Sequence, residues 1–204
     1  MTIGTVEEWE SLSKEEKLKY LDVAYTYYHT KGYFKGSDYV PEIMHLMTDF
    51  NFMSLLDYGA GRAADLVWDQ EITKKILKNK SGRTPKLFSY EPFHTNFKYR
   101  DPSVLKKRYD IVVCMDVLEH LLPEDVDDVL RTIMSCAHKM LFLVIHTTPA
   151  TKLIKDEKGN DVFEQSLHTT VEDSKWWQDK IKKIEKEISR AENRGISILL
   201  RFGA

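Results

Sequence analysis

Two clusters in this 204-residue sequence have residue types and spacings suited to chemistry. The first is Asp57-Tyr58-Gly59-Ala60-Gly61-Arg62-Ala63, where an apolar run ends in an acid and alternating glycines follow. Glycine at such a point permits a tight turn and close approach of a ligand to the backbone. The third glycine of a dinucleotide turn is missing, with Ala63 and Ala64 in its place, and no Lys-Ser/Thr pair follows to cradle a phosphate. Asp57 would repel a phosphate and suits a cationic or hydroxyl-rich ligand. Glu91, some thirty residues on, is placed to accept two ribose hydroxyls in charge-assisted hydrogen bonds. The second cluster is "MDVLEHLLPED", in which Asp116, Glu119 and His120 fall at i, i+3 and i+4. One helical turn sets all three on one face. Two carboxylates and an imidazole make a partial shell for Mg²⁺ or Mn²⁺, and His168 in "SLHTT" is a further ligand of the right type. The same Glu-His pair equally suits a general base, a substrate contact or a structural role, and those readings stay open.

These residues need elements to hold them, and the hydrophobic patterning supplies an alternation. Strands are expected at 52–58, 86–92, 109–116, 140–146 and 196–202, and helices at 13–30, 37–50, 62–79, 123–139 and 171–193. Ser13 and Glu16 form a capping box, Thr170 or Asp173 caps the last helix, and Gly195 closes it. The run 109–116 is continuously apolar, as in a strand covered on both faces. Strands alternating with helices predict an α/β fold, a doubly wound and mainly parallel sheet, with N-terminal helices. Ligands in such sheets bind outside the carboxyl ends of the strands, where Gly59, Glu91, Asp116 and His146 all fall. The chain is expected to be one domain, with a helical cap at 1–50 and an α/β core at 51–204.

Composition narrows the classes. The apolar fraction of 42% and charged fraction of 30% are ordinary for a globular protein, and the net charge of -2 supplies no field for phosphate backbones or anionic membranes. The two cysteines, Cys114 and Cys136, read as small buried side chains rather than a disulfide scaffold. The acidic N-terminus lacks an apolar signal core, and no window is long and apolar enough to span a membrane. The expected location is cytoplasmic.

Asp57, Gly59, Gly61 and Glu91 together resemble the cofactor site of the class I S-adenosylmethionine-dependent methyltransferases, over roughly residues 37–202. The resemblance implies a turn lying along the methionine end of S-adenosylmethionine, with Glu91 on its ribose. It implies cofactor contacts from Ala60 in the turn, from Pro92 after Glu91, and from Met115 and Asp116. Tyr99, Arg100 and Asp101 are candidates for the adenine pocket, although 93–108 shows no clear apolar run for the strand usual there. A nicotinamide cofactor, or no ligand at all, are the other readings of the turn. The Asp-Val-Leu-Glu-His segment resembles that of small-RNA 2′-O-methyltransferases, where a later histidine completes a metal site, and that of ubiquinone-pathway O-methyltransferases. By that analogy a divalent metal takes Asp116, Glu119, His120 and His168, while His120, Glu119 and His146 are the catalytic candidates. The resemblance to class I methyltransferases sets the substrate over the segment 146–177, with His146, Thr147, His168 and Trp176 or Trp177 near the methyl acceptor; adjacent indoles face about 100° apart, so one of the pair also reads as core. The segment is also similar to that of uncharacterised bacterial and phage methyltransferase-like proteins.

The expected function is O-methylation of a small-molecule or sugar hydroxyl. The alternatives are a nucleic-acid 2′-O-methyltransferase, marked by a basic groove, and a non-catalytic cofactor-binding partner subunit, marked by an exposed apolar face around Tyr25, Tyr27 and Tyr28. Lys106, Lys107 and Arg108 are the one compact basic cluster and read adequately as a solvated loop. The sequence shows no seventh strand, so the sheet is short or completed by a partner, and a homo-oligomer is compatible with this.

Overall fold

The computed structural model describes residues 4–31, 36–78, 82–94 and 96–203. Residues 1–3 and 32–35 of the expected cap, Asn79 of the expected 62–79 helix, Thr95 and Ala204 lie outside them. Five parallel strands form the central sheet: β1 (Ser54–Tyr58), β2 (Lys86–Tyr90), β3 (Tyr109–Met115), β4 (Ala137–His146) and β7 (Ser197–Gly203), in the order β2-β1-β3-β4-β7. A separate antiparallel hairpin pairs β5 (Leu153–Lys155) with β6 (Asp161–Ser166). The helices are α1 (Val6–Ser11), α2 (Lys14–Thr30), α3 (Val40–Asp49), α4 (Glu71–Ile76), α5 (Val126–Cys136) and α6 (Ser174–Glu192). Among the described residues no helix is long and apolar enough to cross a membrane.

The central strands alternate sides with the pleat, and both sides are apolar because both are covered. Val112, Cys114, Leu141, Leu143 and Ile145 pack on α5 and α6 through Leu130, Ile133, Trp177 and Ile181. Ile111, Val113, Phe142 and Val144 pack on the other side against Ile43, Met47 and Trp68. That doubly wound arrangement is the expected fold. The chain leaves β1 for β2 on one side and returns to β3 on the other, so the strand order switches between β1 and β3. The crevice at their carboxyl ends is where such sheets hold ligands.

Several expected elements are altered. The 62–79 helix is broken: a wide π turn, Ala64–Trp68, precedes α4, with Asp69 and Gln70 between them. Asp69 is drawn out by the Tyr99 hydroxyl at 2.9 Å and by Lys98. The 123–139 helix begins with a 3₁₀ turn at Pro123–Asp125 and ends at Cys136, where β4 takes over three residues earlier than expected. Between 93 and 108 there are two 3₁₀ turns, Phe97–Arg100 and Pro102–Lys106, and no strand among the described residues. The Ser13–Glu16 capping box forms, and Asp173 rather than Thr170 caps α6, its Oδ1 accepting from Trp176 N at 2.7 Å. Asn193, at φ 50°, ends α6 in place of Gly195.

The N-terminal helices are not a free apolar face. Trp9, Leu21, Ala24 and Tyr28 pack with Ile154 and Phe163 of the β5–β6 hairpin and with Leu122 and Leu167. The Tyr28 hydroxyl donates to Leu153 O at 2.9 Å. The hairpin and α2 thus form one roof over the strand ends.

Candidate active site

β1 delivers Asp57 to the end of the sheet, 1% exposed. Its Oδ2 accepts from Trp68 Nε1 at 2.5 Å, a contact the π turn makes by carrying Trp68 back over the sheet. Burial is the main force on this acid and pushes its pKa up to about 7, against the indole hydrogen bond. Gly59 has φ 72°, and a Cβ there would overlap Val117 Cγ2 and stand 3.0 Å from its Cγ1, so glycine is required for both conformation and space. The turn's amides are committed: Gly59 N and Ala60 N donate to Tyr90 O at 2.8 and 3.2 Å, and Gly61 N to Glu91 Oε2 at 3.0 Å. Glu91 Oε1 accepts from Phe93 N, also at 3.0 Å. Two backbone bonds therefore pre-set the Glu91 carboxylate, 5% exposed, while its other lone pairs remain for a ligand.

After β3 the chain does not begin the expected helical turn at Asp116. Asp116 takes a left-handed conformation, φ 53°, and Leu118–His120 then form a single 3₁₀ turn. Asp116 and Glu119 are therefore not on one helical face, yet the reversal still brings their oxygens together. Non-glycine residues held in this conformation concentrate at functional sites. His146, ending β4, places Nε2 3.2 Å from Asp116 Oδ1. Gly203 makes room for that ring, because a Cβ there would stand 2.9 Å from His146 Nε2 and closer still to two other ring atoms.

Glu119 lies wholly buried behind this pair. Its Oε1 accepts from His146 N at 3.2 Å, while Oε2 has no hydrogen-bond partner. Burial first, and then the charge of Asp116, pushes its pKa up to about 8. His120 Nδ1 lies 3.0 Å from Leu167 O and His168 Nδ1 2.6 Å from Thr148 O. A carbonyl only accepts, so both rings carry a proton on Nδ1. Burial, and then the neighbouring His168, drives the His120 pKa down to about 3, so this ring stays neutral. The ligand atoms of Glu119, His120 and His168 lie within 4.8 Å of one another, and so do those of Asp116, Glu119 and His146. The four expected metal ligands thus divide into two triads sharing Glu119, with His146 entering the second.

All of this opens on one cavity of about 470 Å³, which Asp57, Gly59, Ala60, Gly61, Glu91, Pro92, Met115, Asp116, His120, His146 and His168 line. Other expectations miss it. Thr147 does not line it, though Thr148 does. Trp177 is wholly buried against α5, and Trp176 packs on Trp177 and under Lys180, so neither indole faces the cavity. Tyr99 packs on Ala60 and Ala64, Arg100 Nε donates to His94 O at 2.6 Å, and Asp101 caps a 3₁₀ turn. These three hold the loop behind the turn and do not line the cavity.

The residues that sequence reasoning missed come from the roof. Leu21, Tyr25, Tyr28 and His29 of α2 line the cavity, and the Tyr25 hydroxyl donates to His120 O at 2.8 Å. The spacing of Leu21, Tyr25 and Tyr28 is a helical stripe visible in the sequence, but a stripe does not say what it covers. The model of the family described as a methyltransferase domain matches residues 34–185. No curated protein and no solved structure matches the chain. With well over half its length matched, and with a doubly wound parallel sheet carrying a glycine turn and an acid at the ends of β1 and β2, the chain belongs to the class I S-adenosylmethionine-dependent methyltransferases.

Proposed function

We propose that this enzyme methylates a hydroxyl group of a small molecule or sugar. The observation carrying this reading is the His146–Asp116 pair, 3.2 Å apart, opening on the same cavity as the glycine turn. S-adenosylmethionine supplies a methyl group on a sulfonium, which needs a nucleophile in line with the C–S bond. Positioning contributes most to such a transfer and a base adds modestly. With that cofactor bound, His146 would accept the proton of the hydroxyl, and Asp116, 3.2 Å from its Nε2, would stabilise the imidazolium. His120, held neutral with Nδ1 committed to Leu167 O, is a better ligand than base. Glu91 holds the ribose hydroxyls.

A divalent cation fits the residues behind this pair. The wholly buried Glu119 Oε2 without a partner is what a cation would satisfy, and the imidazoles of His120 and His168, with ligand atoms within 4.8 Å of one another, are ligands of the right type. Backbone carbonyls fix both rings from behind, as around metal-ligating histidines. Such an ion, Mg²⁺ or Mn²⁺, would lower the pKa of the acceptor hydroxyl.

The charge around the cavity favours a small acceptor over nucleic acid. Among the described residues Asp57, Glu91, Asp116 and Asp125 line it against a single lysine, Lys152, where phosphate backbones call for a basic groove. The test is mass spectrometry of a panel of sugars, polyols and phenols incubated with the protein and S-adenosylmethionine, with an oligoribonucleotide alongside. Transfer to a hydroxyl of the panel, slowed about 100-fold or more by His146→Ala, is expected. Methylation of the oligoribonucleotide alone would select the 2′-O reading, and full activity of His146→Ala would remove the base. Activity unaffected by chelation, in protein whose metal content matches that of His120→Ala, would remove the ion.

A further inference from the structure

His29 is the last cavity-lining residue of α2, and it lies upstream of the residues 34–185 that match the family. Its ring makes no hydrogen bond to the described residues, and Nδ1 is buried without a partner. A buried unpaired N–H is costlier and rarer than an unpaired acceptor, so the proton belongs on Nε2. That nitrogen points across the glycine turn: an ideal Cβ on Gly61, at φ 47°, would lie 3.9 Å from it. Gly61 thus stands between two side chains, Glu91 bonded to its amide and His29 facing its Cα.

We infer that the N-terminal cap is part of the cofactor site, with His29 donating from Nε2 to the carboxylate at the amino-acid end of S-adenosylmethionine. The inference rests on the cofactor reading above and adds a residue from outside the matched segment. A carboxylate over this turn meets acids at Asp57, Glu91 and Asp116. The amides that would normally receive an anion at a glycine turn are spent, Gly59 N and Ala60 N on Tyr90 O and Gly61 N on Glu91. Lys152, the one lysine lining the cavity among the described residues, belongs to the loop after β4 and stands over the Tyr28 ring, 5.4 Å from its centroid. Among the described residues that line the cavity, His29 is the one whose side-chain nitrogen meets an ideal Cβ on Gly61. The arrangement also joins cofactor to acceptor, since the helix that brings His29 to the turn braces His120 through Tyr25.

The test uses calorimetry with two probes, S-adenosylhomocysteine and 5′-methylthioadenosine, the second lacking the amino-acid end. His29→Ala is expected to weaken S-adenosylhomocysteine binding about 10-fold, the scale of one hydrogen bond to a charged group, and to leave 5′-methylthioadenosine within about twofold. His29→Gln, which keeps a donor, is expected to recover part of the loss. Equal weakening of both probes would mean a packing role and overturn the inference. So would unchanged S-adenosylhomocysteine affinity, or a selective loss in Lys152→Ala instead of His29→Ala. Matching melting temperatures of the ligand-free proteins exclude misfolding as the cause. A wild-type protein that binds neither probe would refute the cofactor reading itself, whereas one that binds both equally well would refute only the role of His29.

Discussion

Replacing Gly59 by alanine tests the tightest point of the site. Alanine at φ 72° carries the left-handed backbone cost, about 1–2 kcal/mol. Its Cβ would also overlap Val117 Cγ2 and press on Cγ1 at 3.0 Å. Val117 is packed between the end of β3 and the Glu119 turn, so relief requires moving one of them, at about 1–3 kcal/mol. The sum, about 2–5 kcal/mol, is a large share of the ~5–15 kcal/mol that holds a domain folded. A double-mutant cycle separates the two parts. Val117→Ala removes both Cγ atoms and leaves its own Cβ 3.2 Å away, so the overlap is relieved while the backbone cost persists. Urea unfolding of wild type, both single variants and the double variant, without cofactor, should give a coupling of about 1–3 kcal/mol in favour of the double variant. A Gly59→Ala cost under about 1 kcal/mol, or strictly additive costs, would refute the reasoning.

Two further outcomes follow from the acids. Burial raises Asp57 from 3.8 to about 7, so the fold holds a proton that the unfolded chain releases. Its contribution is full below about pH 4 and is lost as pH rises to about 7, by at most ~4 kcal/mol. Asp57→Asn keeps an acceptor for Trp68 and should flatten that part of the profile; identical stability differences between about pH 4 and pH 8 in both proteins would contradict this. Glu91→Gln leaves one oxygen to serve the amides of Gly61 and Phe93 and removes the charge offered to the ribose. S-adenosylhomocysteine should bind about 10-fold more weakly or worse, and unchanged affinity by calorimetry would take Glu91 out of the ribose role.

Much of the fold was legible because its signals are local. Continuous apolar runs at 109–116 and 140–146 read as strands covered on both faces, and Ser13 with Glu16 read as a capping box, since each depends on a few neighbouring residues. The glycine turn and Glu91 were legible for the same reason, as they follow strands directly. The break between Trp68 and Glu71 was not, because Asp69 is drawn out by Lys98 and Tyr99, about thirty residues away. The tryptophan pair left open which indole packs inward, since adjacent helical residues face about 100° apart, and packing on α5 took Trp177 into the core.

The sequence by itself determined which chemistry the strand ends carry: an acid and two glycines after β1, a glutamate after β2, and a carboxylate–histidine segment after β3. Residue type and position after a strand suffice for that, because the pleat and strand direction send those residues to one edge. Only the tertiary structure decided how they combine. The left-handed turn at Asp116 sets that residue on His146 instead of on a helical face with His120, and the packing of β4 against β3 leaves Glu119 buried with one oxygen unpaired. The roof was likewise a tertiary decision: α2 reaches the cavity because the β5–β6 hairpin, more than a hundred residues later, buries its other side chains. Contacts across that separation depend on the shape of both partners, which no local pattern encodes.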